Sequence, residues 1–203
     1  MGKLTIYGDS RSGNCLKVKW TADLLGVAYD WIETDILAGA THTEEFLKIN
    51  PAGQTPAVIL PDGRPLSQSN AIIAYLAAVN ESALLPADPY QRAKVDEWLF
   101  WEQYSHEPYI AVRRFQKALL GKSDEEIDPK LLERGRRALE RMELQLAETP
   151  YLAGAALTLA DIALVAYTRV ADEAGFDLAA FPGVRAWIAR VERDLSIETA
   201  EAA

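Results

Sequence analysis

Three short polar segments of the chain have residue types and spacing suited to chemistry. The first is Asp9-Ser10-Arg11-Ser12-Gly13-Asn14-Cys15, between a strand-like run ending at Tyr7-Gly8 and a helical pattern starting near Asn14. Ser12 stands just before that helix. Backbone N–H groups and the positive end of the helix dipole stabilise an anion there, and a hydroxyl at the same place can donate to it. The same hydroxyl, or the Asn14 side chain, can instead cap the helix. Cys15 falls in the first turn, where a thiol pKa is lowered, whereas a lone free cysteine is commonly buried and inert. The second segment is Asn50-Pro51-Ala52-Gly53-Gln54-Thr55-Pro56-Ala57. A proline directly before a strand cannot donate to the ladder, so Pro56 belongs at an edge, a bulge or a cis turn. That arrangement leaves the Thr55 N–H and C=O for a peptide-like ligand. The third is Leu66-Ser67-Gln68-Ser69-Asn70-Ala71-Ile72, where Ser69 caps the next helix or, with that helix's amides, takes a carboxylate.

The elements that must hold these segments follow from periodicity. Lys3 to Tyr7 reads as a strand with Leu4 and Ile6 on one face, and Asn14 to Leu25 as a helix with Leu16, Trp20 and Leu24 inward and Gly26 as its stop. Val27 to Thr34 has strand composition. A short helix over Thr43 to Lys48, a strand over Ala57 to Leu60, an Asp62-Gly63 turn, a strand near Pro65 and Leu66, and a helix over Ser69 to Val79 complete the order βαβαββα. A parallel βαβ unit followed by an antiparallel hairpin and helix suits a mixed four-stranded sheet covered by helices.

The remainder has a different grammar. The segment 81–90 carries Pro86 and Pro89 and reads as a linker between a domain at 1–80 and one at 91–203. Beyond it every pattern is helical. Arg92 to about Leu120 is one stretch kinked by Pro108. Asp128-Pro129 starts a helix running to about Glu148, Thr158-Leu159-Ala160-Asp161 fits a capping box, and Pro182-Gly183 opens a last helix. The tail from Glu198 to Ala203 is expected to fray. The aromatic stretch from Trp98 to Tyr109 is chiefly core, with Tyr104 and Tyr109 flanking the kink as candidates for contact with an apolar substrate. Arg113 and Arg114 read as a solvated face.

Composition narrows the classes. The 203 residues carry a net charge of −9, and residues 1–80 hold six basic and eight acidic side chains, so most of the negative charge lies in the helical part. An acidic chain is poorly suited to nucleic acid. One cysteine and two histidines exclude an internal disulfide and a zinc cluster, so no metal is expected. No apolar run is long enough to span a bilayer. The start passes straight into strand-like sequence without a signal-peptide pattern, and a cytoplasmic protein is expected.

Taken together, Ser12-Gly13-Asn14-Cys15, Asn50-Pro51 with Gln54-Thr55-Pro56, Gln68-Ser69-Asn70-Ala71-Ile72 and Thr158-Leu159-Ala160-Asp161-Ile162 resemble the cytosolic glutathione S-transferase family over almost the whole chain. The likeness is to bacterial, serine-type members of theta, zeta or phi kind. It implies a thioredoxin-like α/β domain followed by an all-helical domain, and usually a homodimer. Ser12 matches the hydroxyl that serine-type members aim at the glutathione sulfur. Thr55 matches the residue whose backbone pairs with the cysteinyl part, before a cis proline at Pro56. Gln54 matches a side chain near the glycyl half, and His42 lies where relatives place a basic residue for the glycyl carboxylate. Gln68 and Ser69 match the pair holding the γ-glutamyl end. Glutamate is common in the family at the first of these, so Gln68 keeps an acceptor and loses a charge.

The resemblance implies a mechanism. A free thiol with pKa about 8.5 is only slightly ionised at neutral pH. A hydroxyl donor and a helix N-terminus favour its thiolate, which attacks a small hydrophobic electrophile held across the domain cleft. Glutathione is then a co-substrate, and no cofactor is required. Tyr7, where tyrosine-type members place their catalytic residue, and Asn14 and Cys15 are the rivals to Ser12. Cys15 would support a thiol-disulfide or peroxide reductase instead. A non-catalytic glutathione-binding module is the third reading.

Overall fold

Apolar alternation opens the first unit. Along β1 (Leu4–Gly8), Leu4, Ile6 and Gly8 are buried while Thr5 and Tyr7, on the other face, are partly exposed, which is the period of a strand. The computed structural model describes residues 2–197. The tail 198–203, read above as frayed, lies outside the described residues. The chain forms two compact units, Met1–Leu85 and Pro86–Ala203.

In the first unit, β2 (Tyr29–Glu33) pairs parallel with β1, β3 (Ala57–Ile59) pairs antiparallel with β1, and β4 (Pro65–Ser67) closes a hairpin on β3. The sheet order is β2-β1-β3-β4. Gly63 sits at φ 85° in the hairpin turn, where a side chain is disfavoured. With α1 (Gly13–Leu24), α2 (Glu44–Ile49) and α3 (Ser69–Val79), the unit has the expected thioredoxin-like βαβαββα order. Ile72, Ile73 and Leu76 of α3 are fully buried.

The inward face of α1 differs in part from the expectation: Trp20 is buried as expected, and the two leucines are not. Leu24 is 42% exposed and Leu16 only partly covered, whereas Cys15, Val18 and Ala22 are fully buried. At Cys15 the cause is a close approach to the first strand. A Cβ on Gly8 would lie 2.5 Å from the Trp31 ring and 3.1 Å from Cys15 Cβ. Cys15 meets Gly8 of β1, and Cys15, Val18 and Ala22, at i, i+3 and i+7, form a buried face of a helix packed mainly on α3, with Leu16 and Leu24 turned outward.

The second unit is all helical. Asp88 accepts from the Gln91 N–H at 2.9 Å and starts α4 (Pro89–Trp101) with proline at its first position. Pro108 lacks an N–H, and its ring would collide with the carbonyl four residues earlier in a regular helix. A widened π-helical turn at Glu102–His106 absorbs it before α5 (Glu107–Arg114). A second π-helical turn follows at Phe115–Leu119. Asp128 caps α6 (Pro129–Leu146) by accepting the Lys130 N–H at 2.9 Å.

Every residue of α7 (Leu159–Thr168) is buried. Its start is the Thr158–Asp161 capping box. The fully buried Asp161 carboxylate accepts from the Thr158 N–H and Leu152 N–H, each at 2.9 Å, from the Thr158 hydroxyl at 3.0 Å and from the Trp187 indole at 2.9 Å. α8 (Pro182–Asp194) has no side-chain cap of its own, so Glu143 of α6 accepts the Gly183 and Val184 N–H groups at 2.8 Å. Arg113, read above as solvated, is instead 3% exposed. Its Nε donates to the Ala174 carbonyl at 2.8 Å and its other end pairs with Asp124, contacts across segments that local spacing does not register. Arg114 is half-buried and pairs with Glu173 at 2.7 Å.

Candidate functional site

The first polar segment is braced from below. Asp9, at the end of β1, is fully buried. Its carboxylate accepts the Arg11 backbone N–H and Nε at 2.9 Å each, the Arg11 terminal nitrogen at 2.6 Å and the Ile36 N–H at 3.1 Å. Arg11 also reaches Asp35 at 2.7 Å. Burial pushes the Asp9 carboxyl up, but hydrogen bonds from Arg11 and Ile36 outweigh it and hold the group below the ordinary carboxylate range. Ser10 is tied to Glu33 through its N–H at 2.9 Å and its hydroxyl at 3.2 Å. The loop is thus fixed on the N-terminal side of Ser12.

Ser12 is the N-cap of α1 with extended backbone, yet its side chain makes no capping bond. Its hydroxyl instead meets the Cys15 sulfur, as does the Thr55 hydroxyl, and the Asp9 N–H donates to the same sulfur at 3.4 Å. Burial pushes the Cys15 thiol up, and those donors oppose the rise without cancelling it. This reverses the lowered pKa that a first-turn position alone implies, because the side chain is fully buried beneath the loop. Tyr7 points to the sheet face opposite Gly8, with its ring edge-on to Phe46 of α2 at 6.1 Å.

The middle segment is shaped by its own side chains. Asn50 Nδ2 donates to the Gln54 carbonyl at 2.6 Å and Asn50 Oδ1 accepts the Ala52 N–H at 3.2 Å. Thr55-Pro56 is cis, and β3 begins at Ala57, so the Thr55 backbone lies outside the ladder. Gly53 has φ 62°, and a Cβ there would lie 3.0 Å from His42 Nδ1. The exposed His42 ring therefore rests against this loop, beside the exposed Gln54.

The third segment departs from the expected cap. Gln68 is the N-cap of α3, at φ 70°, and Ser69 is its first helical residue. A non-glycine at positive φ is uncommon and costs local strain. Nothing in a glutamine's composition signals it. The Ser69 hydroxyl donates to Asn14 Oδ1 at 3.3 Å, and Lys17 Nζ donates to the same oxygen at 2.7 Å. The three segments thus meet, through Cys15 and through Asn14. Asp9, Arg11 and Lys17 were not singled out from sequence. A lysine three residues after Asn14 on the same helix face was the one local signal.

In the helical unit, Tyr104 is 82% exposed. The Tyr109 hydroxyl accepts from Arg134 at 2.9 Å, within a cavity of about 320 Å³ also lined by Trp101 and Ser105. The structure brings Tyr109, and not Tyr104, to that cavity. His106 is buried, with Nε2 2.9 Å from the Thr168 hydroxyl. Among the described residues no group of histidine, cysteine, aspartate and glutamate could hold a metal ion, and no helix is long and apolar enough to cross a membrane.

Comparison with known proteins accords with this geometry. The glutathione S-transferase N-terminal domain model matches residues 11–79 and the C-terminal domain model residues 96–194. Glutathione S-transferase 3 of Zea mays is 34% identical over 197 residues, spanning 92% of this chain and 88% of that protein. A glutathione S-transferase crystal structure from Pseudomonas fluorescens is 52% identical with TM-score 0.89, covering 93% of this chain and 94% of that one. One from Xanthobacter autotrophicus is 44% identical with TM-score 0.88, covering 93% and 92%. The chain belongs to the glutathione S-transferase family.

Proposed function

We propose that this glutathione S-transferase is of the serine type and activates glutathione through Ser12. The observation that carries the reading is the Ser12 hydroxyl at the N-cap of α1, which meets the Cys15 sulfur instead of capping the backbone of its helix. It is a donor beside a helix N-terminus, where a thiolate is favoured over a thiol. Glutathione lies with its sulfur at Ser12, its cysteinyl amide on the Thr55 backbone before Pro56, its glycyl end toward His42 and Gln54, and its γ-glutamyl end at Gln68 and Ser69. The sulfur gives its proton to solvent. The thiolate then forms an S–C bond to an electrophilic carbon of an apolar substrate, and the leaving group departs with its bonding pair. Tyr104 and Tyr109 are the proposed aromatic contacts for that substrate. The protein acts in the cytoplasm as a homodimer, without a metal or redox cofactor.

The raised Cys15 thiol and its full burial count against a reductase built on that residue. The half-buried Tyr7 ring, packed on Phe46, counts against a tyrosine-type site. The test is Ser12→Ala, assayed by steady-state conjugation of a chloronitroaromatic and by calorimetric titration with glutathione. Turnover is expected to fall about 100-fold, the scale of losing one preorganised donor, while glutathione still binds. An unchanged rate would remove Ser12 from the mechanism.

A further inference from the structure

Lys17 is an unusual residue to find inside this unit. It lies mid-helix in α1 and is fully buried, and lysine is almost never found so unless paired or hydrogen-bonded. One of its hydrogen bonds is to Asn14 Oδ1 at 2.7 Å, a charge-assisted length. The same oxygen takes the hydroxyl of the buried Ser69 at the longer 3.3 Å. An amide oxygen has two lone pairs, and both are in use. A serine hydroxyl has one proton to give. To serve a ligand carboxylate at the start of α3, the Ser69 proton must leave Asn14.

We propose that Lys17 is a positioning residue for the γ-glutamyl subsite, holding Asn14 so that the Ser69 hydroxyl stays aimed but weakly engaged and can turn to the ligand carboxylate. This rests on the proposed binding of the γ-glutamyl end at Ser69. Without the ammonium, Asn14 Oδ1 loses its 2.7 Å donor and the 3.3 Å bond from Ser69 can tighten. The hydroxyl then commits to Asn14 and competes with the ligand. The device is expected to act on binding rather than on sulfur chemistry, because it ends on the Ser69 hydroxyl at the start of α3.

Lys17→Met, Lys17→Arg and Ser69→Ala are measured by steady-state kinetics with glutathione varied, with thermal midpoints recorded for each. In Lys17→Met the KM for glutathione is expected to rise about tenfold, the scale of one hydrogen bond to a charged group, with kcat within twofold of the parent. Lys17→Arg should restore the parent KM. In an Asn14→Ala background the Lys17→Met effect should vanish, since the competing acceptor is gone. An unchanged KM, a fall confined to kcat, or an equal rise in the Asn14→Ala background overturns the proposal. If Lys17→Met does not fold, Lys17→Gln, which keeps a donor without the charge, is read by the same criteria with a smaller rise expected. Ser69→Ala separates the two levels. If it leaves the KM unchanged, the γ-glutamyl assignment itself falls. If it raises the KM and Lys17→Met does not, only the role of Lys17 falls.

Discussion

Asp9 and Arg11 are joined two residues apart by a forked ion pair, Nε to Oδ1 at 2.9 Å and the terminal nitrogen to Oδ2 at 2.6 Å, with the carboxylate fully buried. The fork closes the loop that carries Ser12, and the Arg11–Asp35 pair at 2.7 Å ties it to the chain after β2. Removing the carboxylate strands the Arg11 and Ile36 N–H groups. Asp9→Ala is therefore expected to cost about 2 kcal/mol of stability, the scale of leaving buried N–H donors without an acceptor, since the Arg11 charge left behind is 40% exposed. Urea unfolding measures it, and a loss under 1 kcal/mol would show that the fork does not brace the loop.

The same carboxylate sets an acid limit. Its folded pKa is depressed by Arg11 and Ile36 despite burial. A carboxylate with a depressed folded pKa contributes stability above its unfolded value, about 3.9, and that contribution is lost as pH falls through the folded value. The stability gap between parent and Asp9→Asn should thus be constant from pH 7 down to about 5 and narrow below about 4. A gap that stays constant down to pH 2 would contradict the ionised fork.

How much of this was readable beforehand depends on the range of the interaction. The Thr158–Asp161 box and the Asp128-Pro129 start are local, so four adjacent residues carry them. The order of elements in the first unit followed from alternation and turn signals. The inward face of α1 was read correctly at Trp20 and misread at Leu16 and Leu24, because large residues were preferred whereas the close approach at Gly8 admits only a small one at Cys15. The Arg11–Asp35 pair, the Arg113–Ala174 bond and the Asn14–Ser69 link join residues 24 to 61 apart. No period or cap signals such pairs. Within the candidate site, residue types at Ser12, Thr55 and Ser69 were legible, while the left-handed backbone of Gln68 was not.

Asp161 should be the most sensitive single position of the helical unit. Its carboxylate takes four hydrogen bonds that tie the 150s turn, the start of α7 and the Trp187 indole of α8. Asp161→Ala leaves buried donors without partners and is expected to cost about 4 kcal/mol or to prevent folding, against about 1 kcal/mol for Thr158→Ala. Thermal unfolding of the pair checks the ranking, and equal losses would mean the box matters only as a helix cap.

Cys15 supplies a chemical probe of the folded loop. Its thiol is fully buried and pushed up, so the native protein should react with a thiol reagent at least about 100-fold more slowly than the urea-unfolded chain. Cys15→Ser should keep transferase turnover within a few-fold. Fast native labelling, or turnover lost in that variant, would return the thiol to the mechanism.

Gly53 joins the middle segment to His42 by proximity. Its φ of 62° disfavours a side chain, and a Cβ would stand 3.0 Å from His42 Nδ1. Gly53→Ala must therefore either shift the His42 ring or open the loop that Asn50 holds through the Gln54 carbonyl. Both changes fall on the proposed glycyl end of the ligand, away from the sulfur. The expected result is a KM for glutathione raised about tenfold with kcat little changed, and a stability loss of about 1 kcal/mol from the positive φ. Comparing glutathione with γ-glutamylcysteine, which lacks the glycyl residue, locates the effect. The shorter ligand should bind parent and variant alike, and an equal penalty for both would place the disturbance at Thr55 instead.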